Sequence, residues 1–235
     1  MPEEALPILL YHKVGLPPRG CRLPGHYVSP GLFRKQMAFL SAQGYQAISL
    51  SRLGAALSGE GEGALLLTFD DGYRCLSEQA APVLGELGFS AVIFLVADYL
   101  GKAASWEKRG PFEPLLSREE VLELARQGFE FGSHGCGHQR LTRLSDQELR
   151  REVSDSRSRI EDLLGRPCRA FAYPYGDCDA RVTAAVAAAG YEFAFTTRRA
   201  WSRRNDPPLL LPRINIRRYN YLPIFARKLR RARKA

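Results

Sequence analysis

Short apolar segments of strand length alternate with amphipathic segments along the whole chain. The apolar runs cover 7–14, 46–50, 64–69, 91–96, 129–132, 169–173, 192–196 and 209–216. Between them, apolar residues recur at helical spacing over about 30–44, 53–57, 76–87, 118–127, 146–164 and 180–189. The run at 64–69 is apolar on both faces, which is typical of a strand inside a parallel sheet.

A strand followed by a helix, repeated without a break in composition, predicts one α/β domain with a parallel sheet. Seven or eight such units favour a (β/α) barrel over an open doubly wound sheet, and no Gly-x-Gly-x-x-Gly motif follows the first strand. We therefore expect a single barrel domain over residues 1–216, with a long loop at 98–114 over its mouth, and a basic C-terminal tail at 217–235.

The charge of the chain is unevenly distributed. Of its 34 Lys and Arg residues, nine lie between Arg213 and Ala235, where there is no Asp or Glu. The remaining chain is therefore neutral, which argues against a nucleic-acid-binding face. No apolar run approaches the roughly 20 residues of a membrane span. The five cysteines show no paired spacing and the acidic start shows no export signal, so we expect a cytoplasmic protein.

Asp70 and Asp71 directly follow the buried run at 64–69. In a parallel barrel the carboxyl ends of the strands form the active-site face, so this turn lies where catalytic groups gather. Adjacent residues on extended backbone point in different directions, so one carboxylate could bind a metal while the other faces substrate or water. The alternative is an ordinary βα turn in which one Asp caps the next helix.

His134 and His138 follow the predicted strand at 129–132 and therefore open onto the same face. Two of the four histidines in the chain lie in this Ser-His-Gly-Cys-Gly-His turn. With one carboxylate they would form a His-His-Asp metal site that leaves positions for water and substrate. A structural or solvent-exposed pair is the alternative, and Cys136 is expected to point away.

A third strand end carries the segment Tyr173-Pro174-Tyr175-Gly176. This segment is either a stiff turn or a device that aims the backbone N–H of Tyr175 at a developing oxyanion, with the Tyr175 ring forming a wall of the substrate groove.

In this order and spacing, the three motifs resemble the polysaccharide deacetylase family, carbohydrate esterase family 4, over nearly the whole chain. The resemblance implies a distorted (β/α)7 TIM-like barrel and the metal-dependent removal of N- or O-acetyl groups from sugars. It also implies that Asp70 is the general base. The implied metal ligands are Asp71, His134 and His138, and the implied backbone oxyanion donor is Tyr175.

Three features depart from the usual pattern of that family. Ala172 stands where an arginine usually orients the base, an Asp-Trp pair is not apparent, and no histidine follows His138. The Tyr-His pair ending in His12 and the Tyr-Pro-Tyr-Gly turn resemble the poly-N-acetylglucosamine deacetylase subset, in which an N-terminal histidine serves as acid. His12 is therefore the expected acid, with a core histidine as the alternative, and Arg213 is a candidate for the missing arginine.

The remaining expectations concern ligands. We assign substrate binding to four residues: Trp106, Tyr173, Pro174 and Arg213. The cofactor implied by the resemblance is one divalent metal ion, zinc first and Co²⁺ or Ni²⁺ as alternatives. The metal would polarise the acetyl carbonyl, Asp70 would take a proton from water, and protonated His12 would donate to the leaving amine. His26 is expected at the surface or in a loop.

The expected partner is an acetylated sugar or glycan that contains an N-acetylhexosamine, or a precursor of such a glycan. Two other functions stay open. A catalytically silent relative would keep the barrel and bind carbohydrate, and a zinc amidohydrolase with the same ligands would act on a non-sugar amide.

The basic segment at 217–235 also has two interpretations. Pro223 suits a helix start, and Phe225 and Leu229 lie four apart with basic residues around them. The segment is either a solvated end or an interfacial helix that holds the protein weakly at an anionic inner membrane face, where each Lys or Arg contributes about 1 kcal/mol.

Overall fold

The computed structural model describes residues 5–107 and 110–232, and within them seven parallel strands form the main path of a curled, eight-stranded sheet. The eighth strand, Gln46–Ala47, pairs in parallel with the second of these seven. The strands are β1 (Ile8–Tyr11), β2 (Ala64–Phe69), β3 (Val92–Leu95), β4 (Glu130–Ser133), β5 (Ala170–Ala172), β6 (Phe193–Phe195) and β7 (Ile214–Asn215). Their order across the sheet is β6-β5-β4-β3-β2-β1-β7. Leu211, shortly before β7, pairs with Phe195 in β6, so the two edges of the sheet meet. The expected distorted (β/α)7 barrel is confirmed.

Helices follow the strands and pack outside the sheet. They are α1 (Pro30–Ala42), α2 (Leu50–Leu57), α3 (Ala81–Glu86), α4 (Arg118–Arg126), α5 (Asp146–Arg150), α6 (Ser156–Leu164), α7 (Ala180–Ala188) and α8 (Leu222–Ala232). A π-helical turn at Leu76–Ala80 leads into α3, and a second one at Arg151–Asp155 joins α5 to α6. The side chain of Ser29 caps α1, and Ser117 forms the expected capping box of α4 with Glu120.

Two strands are shorter than the apolar pattern predicts. The first run breaks at His12, after which Lys13–Val14 pairs in parallel with Tyr27–Val28. The last run begins with a 3-10 turn at Pro208–Leu210, and only Ile214–Asn215 joins the sheet. Proline offers no N–H to a strand ladder, so Pro207, Pro208 and Pro212 limit the pairing there.

Alternate residues of the strands pack into two separate hydrophobic clusters. Leu9 and Leu67 belong to the large cluster between sheet and helices, whereas Ile8 and Leu66 belong to a smaller cluster inside the barrel. The interior side therefore continues along β2 to Thr68 and ends at a polar face.

The described part of the predicted tail packs against the barrel. Phe225 and Leu229 of α8 are buried, and the Phe225 ring meets Phe39 of α1 edge-on at 6.0 Å. Trp201 donates its indole N–H to the carbonyl of Leu229 at 2.9 Å. The prediction that Phe225 and Leu229 form a membrane-facing surface is therefore wrong, because the protein itself covers that face.

The remaining tail residues, 233–235, lie outside the described residues. No helix within 5–107 or 110–232 combines the length and apolar composition needed to cross a bilayer. The five cysteines are free thiols.

Candidate metal centre and active site

A cavity of about 790 Å³ opens at the carboxyl ends of the strands. Asp70 and Asp71 reach it from the end of β2, His134 and His138 from the turn after β4, and Tyr175 from the turn after β5. The structure thus brings the three sequence motifs together on one face of the barrel.

Asp71, His134 and His138, here called the triad, form a compact group of potential metal ligands. All three are buried, and one ligand atom from each lies within 4.8 Å of the others. Oδ1 of Asp71 lies 3.1 Å from Nε2 of His138 and 3.5 Å from Nε2 of His134. Two imidazoles and one carboxylate match the donor set of catalytic zinc sites.

His134 and Asp71 are each in the ionisation state that a metal ligand requires. Nδ1 of His134 lies 2.7 Å from the carbonyl oxygen of Ala172, so Nδ1–H donates and Nε2 faces the triad. Burial lowers the pKa of His134, which keeps the imidazole neutral. Burial acts to raise the pKa of Asp71, but the adjacent His138 outweighs this effect, so the pKa lies well below its usual value. Buried Oδ1 of Asp71 accepts no well-aligned hydrogen bond from the described residues, which fits a cation at this position.

The turn that carries both histidines is held by Glu152 of the π-helical segment. Its carboxylate accepts the N–H groups of Cys136 and Gly137 at 2.9 and 3.0 Å. A Cβ atom on Gly135 would lie 2.7 Å from Oε2 of Glu152, and φ there is +80°, so glycine is required. Sγ of Cys136 contacts the carbonyl of Arg151 and points away from the triad, as expected.

Backbone strain is concentrated at the site. Among the described residues, the non-glycine residues with positive φ are Asp71 at +73°, His138 at +55° and Tyr175 at +61°. A positive φ is unfavourable for such residues, above all for a bulky tyrosine, and persists only where surrounding contacts enforce it. All three line the cavity, so the local strain coincides with the proposed chemistry.

Asp70 is held from beneath by a buried arginine. Arg213 donates to Oδ1 and Oδ2 of Asp70 at 2.7 and 2.8 Å and to the carbonyl of Thr196 at 3.0 Å. Burial acts to raise the pKa of Asp70, but Arg213 and His134 outweigh it, so the carboxyl is ionised. Arg213 is fully buried and does not line the cavity, so its expected contact with substrate is wrong and it pairs with Asp70 instead.

The rings of His12 and His26 lie against each other at the cavity wall, with centroids 4.2 Å apart and planes tilted by 34°. Burial, and then the charge of His26, lower the pKa of His12 to about 3, so its ring is neutral near pH 7. His26 lies in the short 3-10 turn Pro24–His26, in agreement with the expected surface or loop position, and it also lines the cavity. The parallel pairing of Lys13 with Tyr27 places residue 26 beside residue 12, and no motif in the sequence announces that pairing.

The loop over the cavity is anchored by a buried ion pair. Nζ of Lys13 lies 2.8 Å from Oε1 of Glu107, which also accepts the Tyr73 hydroxyl at 2.7 Å. The neighbouring Trp106 stacks on His138 with ring centroids 4.8 Å apart and planes 16° apart. The expected substrate contact at Trp106 is therefore placed on the cavity wall, directly against the triad.

Two other expected substrate contacts do not reach the cavity. Tyr173 is fully buried beside Phe171, and its hydroxyl donates to the carbonyl of Leu209 at 2.8 Å. Pro174 is also buried. Neither residue lines the cavity, because the turn exposes only Tyr175, so their assignment to substrate binding is wrong.

Comparisons with known proteins agree with this geometry. Residues 58–194 match the family model described as Polysaccharide deacetylase. YxkH of Bacillus subtilis (strain 168) is 27% identical over 214 residues, which are 90% of this chain and 71% of YxkH. The poly-beta-1,6-N-acetyl-D-glucosamine N-deacetylase of Escherichia coli (strain K12) is 32% identical over 118 residues, 46% of this chain and 17% of that protein.

A solved structure extends the likeness to nearly the whole fold. BC0361, a polysaccharide deacetylase from Bacillus cereus, is 26% identical and superposes with a TM-score of 0.84, covering 97% of this chain and 69% of that one. The family model spans more than half of the sequence, and all three triad residues lie within the matched segment. This chain therefore belongs to the polysaccharide deacetylase family.

Proposed function

We propose that the protein is a metal-dependent hydrolase that removes acetyl groups from an acetamido sugar of a glycan or glycan precursor. The observation that carries the proposal is the buried triad beside Asp70, whose carboxylate is fixed by Arg213. Such an arrangement provides a metal site and an ionised base within one cavity.

Zinc is the ion that we propose, with Co²⁺ and Ni²⁺ as alternatives, because two imidazoles and one carboxylate suit these borderline metals. Asp71, His134 and His138 would hold it. When bound, the ion supplies Lewis-acid polarisation of the acetyl carbonyl and lowers the pKa of water.

Asp70 is the proposed general base. Each of its carboxylate oxygens accepts one bond from Arg213 and retains a lone pair, and the residue lines the cavity. Arg213 keeps the carboxylate ionised and orients it, which is the task that the family's usual arginine would perform at Ala172. Asp70 would take the proton from the attacking water.

Tyr175 and His12 are the proposed partners for the later part of the reaction. Tyr175 lies in a strained turn on the cavity wall, and its backbone N–H would stabilise the oxyanion of the tetrahedral carbon. His12 would protonate the leaving amine. Because its pKa in the free protein is about 3, His12 must first gain a proton, and the proton that Asp70 takes from the attacking water would supply it.

The cytoplasmic location and a weak contact with anionic membranes remain proposals. Since Phe225 and Leu229 are buried, membrane attachment would depend on the exposed basic residues of α8, namely Arg227, Arg230 and Arg231. Binding of the whole protein to anionic vesicles at low salt, absent with neutral vesicles, would support it.

A substrate panel tests the proposed function. The metal-stripped protein is reloaded with Zn²⁺, Co²⁺ or Ni²⁺, and acetate release is measured with N-acetylglucosamine oligomers and with an N-acetyl amino-acid amide. We expect metal-dependent release from the sugars alone. Release from the amino-acid amide alone would indicate an amidohydrolase, and sugar binding without release by any metal form would indicate a silent carbohydrate-binding protein.

A further inference from the structure

Basic side chains surround the triad at the mouth of the cavity. We call this set the basic rim: Arg22, Arg140, Arg199, Arg217 and Lys228. The guanidinium carbon of Arg140 lies 4.4 Å from the ring centre of Tyr175, so the rim reaches the turn that carries the proposed oxyanion donor. The rim and the triad therefore line the same cavity.

The rim carries charge that the protein does not balance. Within residues 5–107 and 110–232, none of its members forms an ion pair with a carboxylate. The cavity's own carboxylates are compensated from behind, Asp70 by Arg213 and Glu107 by Lys13. A divalent ion would more than balance Asp71. The cavity as a whole thus has an excess of positive charge, which a concave wall focuses.

One corner of the rim is built to hold cations together. Nζ of Lys228 donates to the carbonyl of Asn215 and, at 3.1 Å, to Oδ1 of Asn220, which also accepts the N–H of Arg217 at 2.8 Å. Burial, followed by the charges of Arg199 and Arg217, lowers the pKa of Lys228 to about 8. Like charges that line one corner of a cavity repel one another, and an anion bound among them would relieve that repulsion.

We propose that the basic rim binds a phosphate group carried by the acetylated sugar, so that the substrate is a phosphorylated acetamido sugar. This inference rests on the proposed deacetylase function. An arginine guanidinium can donate two hydrogen bonds to the oxygens of one phosphate. A phosphate dianion can also interact with several cationic side chains at once, which a single carboxylate does less well. The phosphate would lie at the corner formed by Lys228, Arg199 and Arg217, and the acetamido group at the triad.

Direct binding tests the rim independently of turnover. Titration calorimetry compares N-acetylglucosamine 1-phosphate with N-acetylglucosamine on the whole protein at one fixed salt concentration. We expect the phosphorylated sugar to bind at least about 10-fold more tightly, since hydrogen bonds to charged groups are the strong ones. Equal affinities would overturn the proposal.

Variants of the basic rim test which residues bind the phosphate group. Lys228→Met and the exposed Arg199→Met should each weaken binding of the phosphorylated sugar about 10-fold and leave that of the neutral sugar unchanged. Arg230→Met, an exposed change on the same helix α8, serves as the control and should alter neither. Arg199→Met keeps the test decisive if Lys228→Met disturbs the helix, and unchanged affinities in the rim variants would overturn the proposal.

Further ligands identify the source of the phosphate. Tighter binding of UDP-N-acetylglucosamine supports a nucleotide sugar, and tighter binding of prenyl-diphosphate-linked N-acetylglucosamine supports a lipid-linked sugar. N-acetylmuramic acid binding as tightly as the sugar phosphate would overturn the assignment to phosphate. Acetate release measured in parallel separates the two proposals. Acetate release from sugars without any preference for a phosphorylated sugar contradicts only the proposal about the basic rim. The absence of acetate release from every sugar contradicts the proposed deacetylase function.

Discussion

The triad and the basic rim line the same cavity but are built differently. The triad comes from two turns, each directly after a strand of the sheet. The rim comes from five separate segments, and Lys228 reaches the cavity only because α8 packs on the barrel through Phe225. Reactive groups at strand ends are fixed by the sheet itself, whereas the charge around them depends on how loops and a terminal helix pack.

The largest expected effect is the loss of a triad histidine. His134→Ala or His138→Ala should abolish stoichiometric metal binding and lower acetate release about 1,000-fold or more, because Lewis-acid catalysis contributes several kcal/mol. Metal analysis and an acetate assay on the same preparation check both effects. Cys136→Ala, between the two histidines and pointing away, is the control. Full metal occupancy in either histidine variant would contradict the ligand assignment.

The next effect concerns the ion pair beneath the triad. Arg213→Met should lower the free energy of unfolding by about 3–5 kcal/mol, because it leaves the buried Asp70 carboxylate unpaired. Arg126→Met breaks an exposed pair with Glu123 and should cost less than about 1 kcal/mol. Denaturant unfolding measures both. The double variant Asp70→Asn/Arg213→Met should regain part of the loss, and an equally unstable double variant would contradict this origin.

A smaller effect separates the rim from the triad. Phe225→Ala should destabilise the packing of α8 by about 3 kcal/mol, as expected for a buried phenylalanine. The exposed neighbour Ile224→Ala should change stability by less than about 0.5 kcal/mol. In Phe225→Ala the KM for a phosphorylated sugar should rise while metal content stays at one equivalent. A Phe225→Ala protein that also loses its metal would contradict the independence of the triad and the basic rim.

The smallest expected effect is at the cavity wall. Trp106→Leu removes the ring stacked on His138 and should raise KM about 3- to 10-fold, since such aromatic pairs contribute roughly 0.5–1.5 kcal/mol. Steady-state kinetics measures the change, and Phe112→Leu, an exposed change in the same loop, is the control. A Trp106→Leu variant with an unchanged KM would remove this residue from the substrate site.

The contrast between the two regions also explains what the sequence could predict. Periodicity predicted β2 to the residue, because its apolar run is buried on both faces. The positions of Asp71 and His138 followed from strand ends in a parallel barrel. Tyr173 was misassigned because the alternation of side chains along the strand directs it into the core. The residue of this turn that reaches the cavity is Tyr175, where φ is positive. The contact of His26 with His12 and the packing of α8 were missed because both depend on residues distant in the chain.

Metal content and acetate release in Asp70→Asn test the central claim most directly. Asn keeps the shape of the side chain but not its basicity, and Asp162→Asn, an exposed change, is the control. The account predicts one equivalent of metal in both variants and a fall in acetate release of about 100-fold or more in Asp70→Asn alone, the usual contribution of a general base. A metal-loaded Asp70→Asn protein that releases acetate at the wild-type rate would contradict it.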